Sequence, residues 1–365
     1  MTDEQISSFS YYTFILHIMV GTHLIVGISS RLEQDAWVAG VIGTAVSLIL
    51  FIFYYRMYQM SGKVTVSDLH QYAYGKKIGR VITFLYGVCF WGIASTILAN
   101  IVFFVQMILL PYTSFYLLVI PVCILLGYIL FLRFGAFART SIISFFIIAF
   151  VCFFLVLLAY FNGIFYIERL QPFLIHSVPM LVQGIFPDVF SIPFAEIFLL
   201  FVFLPMVSQT KGIWWKSLGV ILIAGGALVF MMLITAGIIG GSLMNELNFP
   251  ILKATEKITL LEFIKRLDLV TLVFFVLGTF MKLGLFIFGS FFMFKESLVK
   301  IREDVLIFVM ISLLTLGLLM VLPAISYEML SEFFRNDFPY VFIFPFAYIF
   351  PLITFGLLMV KRKKT

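Results

Sequence analysis

The sequence predicts an all-α integral membrane protein of about ten transmembrane helices. Apolar residues fill 63% of its 365 positions and charged residues only 12%, and the apolar residues come in long unbroken runs rather than in periodic faces. A water-soluble domain is about one-quarter charged, so this chain has too little polar surface to cover a globule. The mean hydropathy of +1.15 points the same way. Soluble domains are therefore excluded, and residues 1–365 read as a single polytopic membrane domain.

A helix needs roughly 20 apolar residues to cross the hydrocarbon core. Runs of that kind, bounded by polar or Pro/Gly-rich breaks, fall at 9–30, 37–58, 81–110, 115–132, 141–161, 184–207, 218–243, 269–294, 305–323 and 340–360. They are spans one to ten below. The break Pro111-Tyr112-Thr113-Ser114 makes spans three and four a tight hairpin instead of one over-long helix. The first residues carry Asp3 and Glu4 and no Lys or Arg, the wrong charge for the start of a cleavable signal peptide. The N-terminus is read as retained.

Lys and Arg collect on the cytoplasmic side of membrane proteins. In the ten-span reading, the side that holds both termini carries Arg56, Lys63, Lys76, Lys77, Arg80 and the tail Lys361 to Lys364, and with them the greater share of the basic residues. Both termini are expected in the cytoplasm. The net charge of +6 then reports orientation in the bilayer, not nucleic-acid binding. Between spans two and three, Ser67-Asp68 is expected to cap a short cytoplasmic helix ending near Gly75. Between spans seven and eight, Thr259-Leu260-Leu261-Glu262 fits a capping box, in a segment that reads as an extracellular lid or as an ordinary interfacial loop.

Irregular backbone at membrane depth persists only where it is buried or lines a cavity. Span one carries Gly21-Thr22-His23 in its middle, and span six carries Pro187, Pro193, Glu196 and Pro205. Each reads as a discontinuous helix, and they stand five spans apart. That is the register of a 5+5 inverted repeat, with repeat one at about 9–161 and repeat two at about 184–360. Paired interruptions of this kind point to a substrate site between the repeats. The plain alternative is that Gly and Pro are common in membrane helices.

A lysine at the bilayer centre costs roughly 3 kcal/mol on insertion scales, so it needs a partner. Lys282 lies about 13 residues from either end of span eight, and Glu196 lies near the middle of span six. At matched depth the two would pair in the empty protein and exchange partners with the ammonium and carboxylate of an amino acid. A permanent ion pair that only fixes packing is the competing reading; protonated Glu196 beside charged Lys282 is a third.

His17 and His23 are six residues apart and share no helix face, which argues against a metal pair. His23 is assigned to the cavity and His17 to packing. Trp91, Gly92, Ser95 and Asn100 form a partly polar stripe on span three. Trp91 and Asn100 are candidates for the pocket wall, and Gln106 for an interhelical hydrogen bond. Cys89, Cys123 and Cys152 sit inside apolar runs without metal or redox spacing. No cofactor and no metal is expected. Absence of His-Glu-x-x-His, Gly-x-Ser-x-Gly and phosphate-loop motifs speaks against an enzyme.

Several short motifs follow one another at telling places: Asp35-Ala36-Trp37 entering span two, Gly75-Lys76-Lys77-Ile78-Gly79 before span three, Leu170-Gln171-Pro172 before span six, Phe249-Pro250 after span seven, and Arg266-Leu267-Asp268 entering span eight. In order and spacing, over nearly the whole chain, they resemble the B subunits of Ger-type spore germinant receptors. Those proteins are similar to the amino acid/polyamine/organocation transporters. The resemblance implies a transporter-like, permease-like fold with a ligand pocket between spans one, three, six and eight. It also implies a nutrient sensor in the spore inner membrane that signals to partner A and C subunits and so triggers germination. By position it carries Gly21 and Thr22 to the span-one break, Glu196 to the span-six segment, and Lys282 with Phe286 to the pocket face of span eight. His23 stands where typical transporters carry small residues, so a sugar or nucleoside stays open beside an amino acid as the germinant. The alternative function is an amino-acid secondary transporter, in which Lys282 takes the place of a sodium ion beside the span-one break.

Overall fold

The computed structural model describes residues 5–22, 30–62, 64–259, 267–298 and 301–362. The protein is an all-helical, multi-pass membrane protein. Among the described residues, eight helical stretches are long and apolar enough to cross a membrane, and the segments expected as spans one and four appear as the shorter apolar helices Ser8–Val20 and Phe115–Phe131. His23 and residues 260–262 of the expected capping box lie outside the described residues.

Helix α1 (Ser8–Val20) starts where the Ser7 hydroxyl accepts the Ser10 N–H at 3.0 Å. It stops at Gly21, whose N–H closes the last turn on the His17 carbonyl. Helix α2 (Ala36–Met60) runs through Gly40, Gly43 and Thr44. A Cβ at Gly40 would lie 2.7 Å from the Val229 side chain and one at Gly225 only 2.0 Å from Thr44 Oγ1, so the backbones of spans two and seven approach closely on that face.

The short helix expected between spans two and three is α3 (Val66–Tyr74), capped by Thr65 rather than by Ser67-Asp68. Thr65 Oγ1 accepts the Asp68 N–H at 3.2 Å and donates to the Asp68 carboxylate at 3.0 Å, a reciprocal cap that puts Asp68 inside the first turn. Gly75 ends it with φ +85, and α4 (Lys76–Ile108) begins at once. Span three thus starts five residues before its apolar run, because Lys76 to Arg80 continue the same helix beyond the hydrocarbon. A short hairpin leads to α5 (Phe115–Phe131), and α6 (Phe134–Phe161) likewise starts ahead of the expected boundary.

Span six is the irregular one. After α7 (Val178–Ile185) come 3-10 turns at Asp188–Phe190 and Ala195–Leu199, one α turn α8 (Leu200–Phe203) and a further 3-10 turn at Leu204–Met206. Prolines at 187, 193 and 205 remove N–H donors from any continuous ladder. Next come α9 (Ile213–Ile239), the short helices α10 (Gly241–Glu246) and α11 (Pro250–Glu256), and α12 (Asp268–Ser297). The closing elements are α13 (Glu303–Val321), α14 (Tyr327–Asn336), a π-helical stretch at Pro339–Ile349 and α15 (Phe350–Arg362). The amphipathic α14, absent from the sequence expectation, is opened by Ser326 accepting the Met329 N–H. Its polar face hid it from a reading based on apolar runs.

Span eight is the most enclosed long helix after span six, with 72% of its apolar window buried. It lies along span three, and glycines at 278, 284 and 289 let neighbours close on it: a Cβ there would meet Gly21 O at 3.2 Å, the Phe137 ring at 2.5 Å and Leu199 at 2.4 Å.

Two outcomes are expected. A Cβ at Gly43 would lie 2.1 Å from the Phe194 ring; Gly43→Val should lower stability by about 1–3 kcal/mol, whereas Gly219→Ala, facing open space, should shift it by less than about 1 kcal/mol and upward. Thermal unfolding in detergent reads both. The second concerns His70 of α3, which is 3% exposed. Its Nδ1–H donates to Thr83 Oγ1 at 3.1 Å, since that hydroxyl has given its own hydrogen to Gly79 O. Burial pushes the imidazole down from 6.5 to about 3. The unfolded chain therefore binds the extra proton first as pH falls, so stability is full above about 6.5 and declines by about 1.4 kcal/mol per pH unit toward pH 3. His70→Gln should flatten that slope in pH-dependent unfolding; an unchanged slope would assign it to other groups.

Candidate functional site

The site is built where the irregular span six and the end of α1 meet span eight. Glu196 sits on the 3-10 turn of span six and Lys282 near the middle of α12; Lys282 Nζ lies 2.5 Å from Glu196 Oε2, and each side chain is 1% exposed. Two charges at this depth persist because each supplies the other's counter-charge. The sequence placed them on separate helices, and the fold brings them together.

One turn before Lys282, span eight touches the span-one break. Thr279 Oγ1 donates to Gly21 O at 3.3 Å, and a Cβ on Gly21 would sit 2.7 Å from Gly278 O. The backbones are in contact, which explains glycine at both positions. Thr22, the next residue, has its hydroxyl oxygen buried with no hydrogen-bond partner among the described residues. Spans one and six join again near the start of the chain: Ile6 N–H donates to Met206 O and Ser208 N–H to Ile6 O, both at 3.0 Å, a parallel bridge between the entry of span one and the exit of span six.

Carbonyls freed by the irregular course of span six are taken up by hydroxyls from other spans. Ser47 of α2 donates to Phe194 O at 2.8 Å and Tyr348 of span ten to Phe190 O at 2.9 Å, while Tyr11 of α1 reaches Leu200 O at 3.5 Å, a carbonyl that also accepts the Leu204 N–H. Buried carbonyls without partners would be costly in a membrane interior, so Ser47 and Tyr348 support the break and Tyr11 ties span one to it. None of them stood out in the sequence, because a lone Ser or Tyr in an apolar run gives no signal of its partner.

Phe286, one helical turn after Lys282, is fully buried. Its ring centroid lies 6.1 Å from that of Phe90, which lies 5.2 Å from Phe198 of span six. Of the two neighbouring aromatics on span three, it is Phe90 that packs between the rings of spans six and eight. Trp91, its neighbour, faces the other way and donates from Nε1 to Met310 O of α13 at 3.4 Å. Asn100 Nδ2 bonds its own helix at Thr96 O (3.2 Å), and Gln106 Nε2 bonds Thr113 O of the hairpin at 3.0 Å. His17 is buried and donates from Nε2 to Ser141 O at 3.0 Å, a packing role between spans one and five. His23 cannot be placed, being outside the described residues.

A second buried carboxyl group stands at the start of span two. Asp35, 0% exposed, accepts the N–H of Leu174 at 2.7 Å, the N–H of His176 at 3.2 Å and His176 Nδ1–H at 3.1 Å. It straps the loop before span six to the start of span two, a role for the Asp35-Ala36-Trp37 motif that spacing did not reveal.

Residues 5–327 match the model of a family described as spore germination protein. Over an alignment of 376 residues, the chain is 25% identical to "Spore germination protein KB" of Bacillus subtilis (strain 168), covering 100% of this chain and 97% of that one.

Removing one member of the buried pair strands the other. Glu196→Gln and Lys282→Met should each destabilise the protein by about 3–5 kcal/mol, while the double variant should recover most of that loss. Unfolding of all three in one detergent checks this, and a loss in the double variant equal to the sum of the two single losses would show that the charges do not depend on each other.

Proposed function

Because the chain belongs to the family of spore germination proteins, we propose that it is the nutrient-sensing B subunit of a spore germinant receptor. In this reading it binds a small germinant, an amino acid above all, in a mid-membrane pocket. The observation that carries the proposal is the Lys282–Glu196 pair, 1% exposed and joining span eight to the irregular span six. In the empty protein the charges satisfy each other. A zwitterion offers the same two charges in reverse order, so its ammonium can take Glu196 and its carboxylate Lys282 without leaving either residue unpaired.

The exchange separates span six from span eight and leaves the ligand holding both. Such a change biases a two-state element. Gly21 and Thr279 tie the span-one break to the same turn of span eight, which would carry the shift into the first repeat. Thr22, whose buried hydroxyl has no partner among the described residues, is available to the ligand, and Phe286 and Phe90 supply the apolar wall. The ten-span, 5+5 inverted arrangement with cytoplasmic termini, in which Ser8–Val20 and Phe115–Phe131 count as short spans, is the topology this function uses. A and C subunits of the receptor, in the spore inner membrane, read the shift; no chemical step is catalysed.

Thermal unfolding of the purified protein against a panel of proteinogenic amino acids tests the site. At least one should raise the midpoint in proportion to the logarithm of its concentration. Glu196→Gln and Lys282→Met should each weaken that binding by about 30-fold or more, the effect of deserting one charge of a buried pair. Unchanged binding in both variants would place the site elsewhere. Accumulation of the same amino acid in proteoliposomes under a proton gradient would instead favour a secondary transporter.

A further inference from the structure

Spans two, six and ten leave a groove between them on the outer surface of the protein, with a volume of about 260 Å³. Its walls include Ile49 and Phe53 of α2 and Tyr348 and Leu352 of span ten, and Phe190 of span six completes it. Ile49 is 66% and Leu352 59% exposed, so in a membrane the groove opens onto the hydrocarbon of the bilayer. We propose that it is a binding site for an anionic bilayer phospholipid, whose acyl chain lies in the groove and whose headgroup meets Arg56.

Size and polarity of the walls set the kind of occupant. Among the described residues, Tyr348 is the only lining side chain that can form a hydrogen bond, and its hydroxyl is spent on Phe190 O at 2.9 Å. What faces the groove is hydrocarbon, and a polar group placed there would go unpaired. The volume exceeds the roughly 150 Å³ that admits benzene. It falls short of one turn of a further helix, which at about 10 Å across and 5.4 Å long fills roughly 420 Å³. An extended hydrocarbon chain fits where a partner helix does not.

Charge sets the headgroup. Ile49 lies at the middle of α2, and Arg56, seven residues on, stands on the same face about 10 Å nearer the helix end at Met60. Arg56 is exposed, and it takes part in none of the ion pairs among the described residues. A chain lying along Ile49 and Phe53 therefore brings its phosphate toward a cation that lacks a counter-charge. One such cation at the membrane surface favours an anionic over a zwitterionic headgroup by about fivefold. The site is separate from the Lys282–Glu196 pair, yet the hydrogen bond from Tyr348 to Phe190 joins its wall to the irregular span six.

Photolabelling in defined bilayers tests this without any nutrient response. The full chain is placed in phosphatidylcholine nanodiscs with a trace of phosphatidylglycerol carrying a diazirine in its acyl chain, and adducts are mapped by mass spectrometry. Peptides that carry Ile49 and Leu352 should be labelled more heavily than the exposed Phe150 and Phe153 of α6. Unlabelled phosphatidylglycerol should displace that excess, whereas the same addition of phosphatidylcholine should not. Arg56→Gln should cut the preference for the phosphatidylglycerol probe over its phosphatidylcholine analogue by about fivefold, and both should still label the groove. Ile49→Trp, which fills the groove from its lipid side, should remove the excess. Labelling no richer in the groove than at Phe150 and Phe153 overturns the site. Equal displacement by the two lipids, or a preference unaltered in Arg56→Gln, overturns the headgroup assignment. Enrichment and displacement are both read on the unmodified chain, so a variant that misfolds does not rescue the proposal.

Discussion

Neither Lys282 nor Glu196 can stand alone at 1% exposure, and much of the architecture follows from that. For an ammonium on span eight to meet a carboxylate on span six, the two backbones have to come close at one depth. The glycines of span eight provide the approach. Gly278 admits the span-one break, Gly284 the ring of Phe137 and Gly289 the side chain of Leu199. Span eight is consequently less a lipid-facing rod than a central post, carrying notches on the sides where the irregular segments lean on it.

The irregular segments raise a second demand, for hydrogen bonds. Span six departs from the α-helix over most of its membrane depth, and span ten is π-helical over Pro339–Ile349. In both, side-chain hydroxyls from neighbouring helices cover the exposed carbonyls. Tyr54 donates to Ala347 O at 2.7 Å, Tyr86 to Phe346 O at 2.8 Å and Tyr74 to Phe350 O at 3.3 Å, just as Ser47 and Tyr348 serve span six. Polar groups of this kind act as interhelical glue in an apolar medium. They also fix which helix faces which, since each donor reaches one carbonyl.

Legibility in the sequence divided along the same line. Apolar runs marked the long helices within a few residues, because transfer of hydrocarbon into lipid depends on composition alone. Boundaries slipped where charged residues continued a helix into water, as at Lys76 to Arg80, and α14 was missed because its polar face hid it. Within the site, Glu196 and Lys282 stood out because an ionisable residue in an apolar run needs a reason. Phe90 did not, being one of 46 phenylalanines, and the choice of Trp91 over it was one of helix face, which only packing decides. Pairings through backbone carbonyls were invisible throughout, since every residue has one.

The bridge between Ile6 and Val207 bears on how such a protein tolerates change. It is made wholly of main-chain N–H and C=O groups, so any non-proline substitution at Ile6 that keeps the strand extended preserves it. The mechanical link between the first and sixth spans is thus written in backbone register, not in side-chain identity. Two chains alike at only one residue in four could share that linkage while differing at both of its positions, and a screen for invariant residues would pass over it.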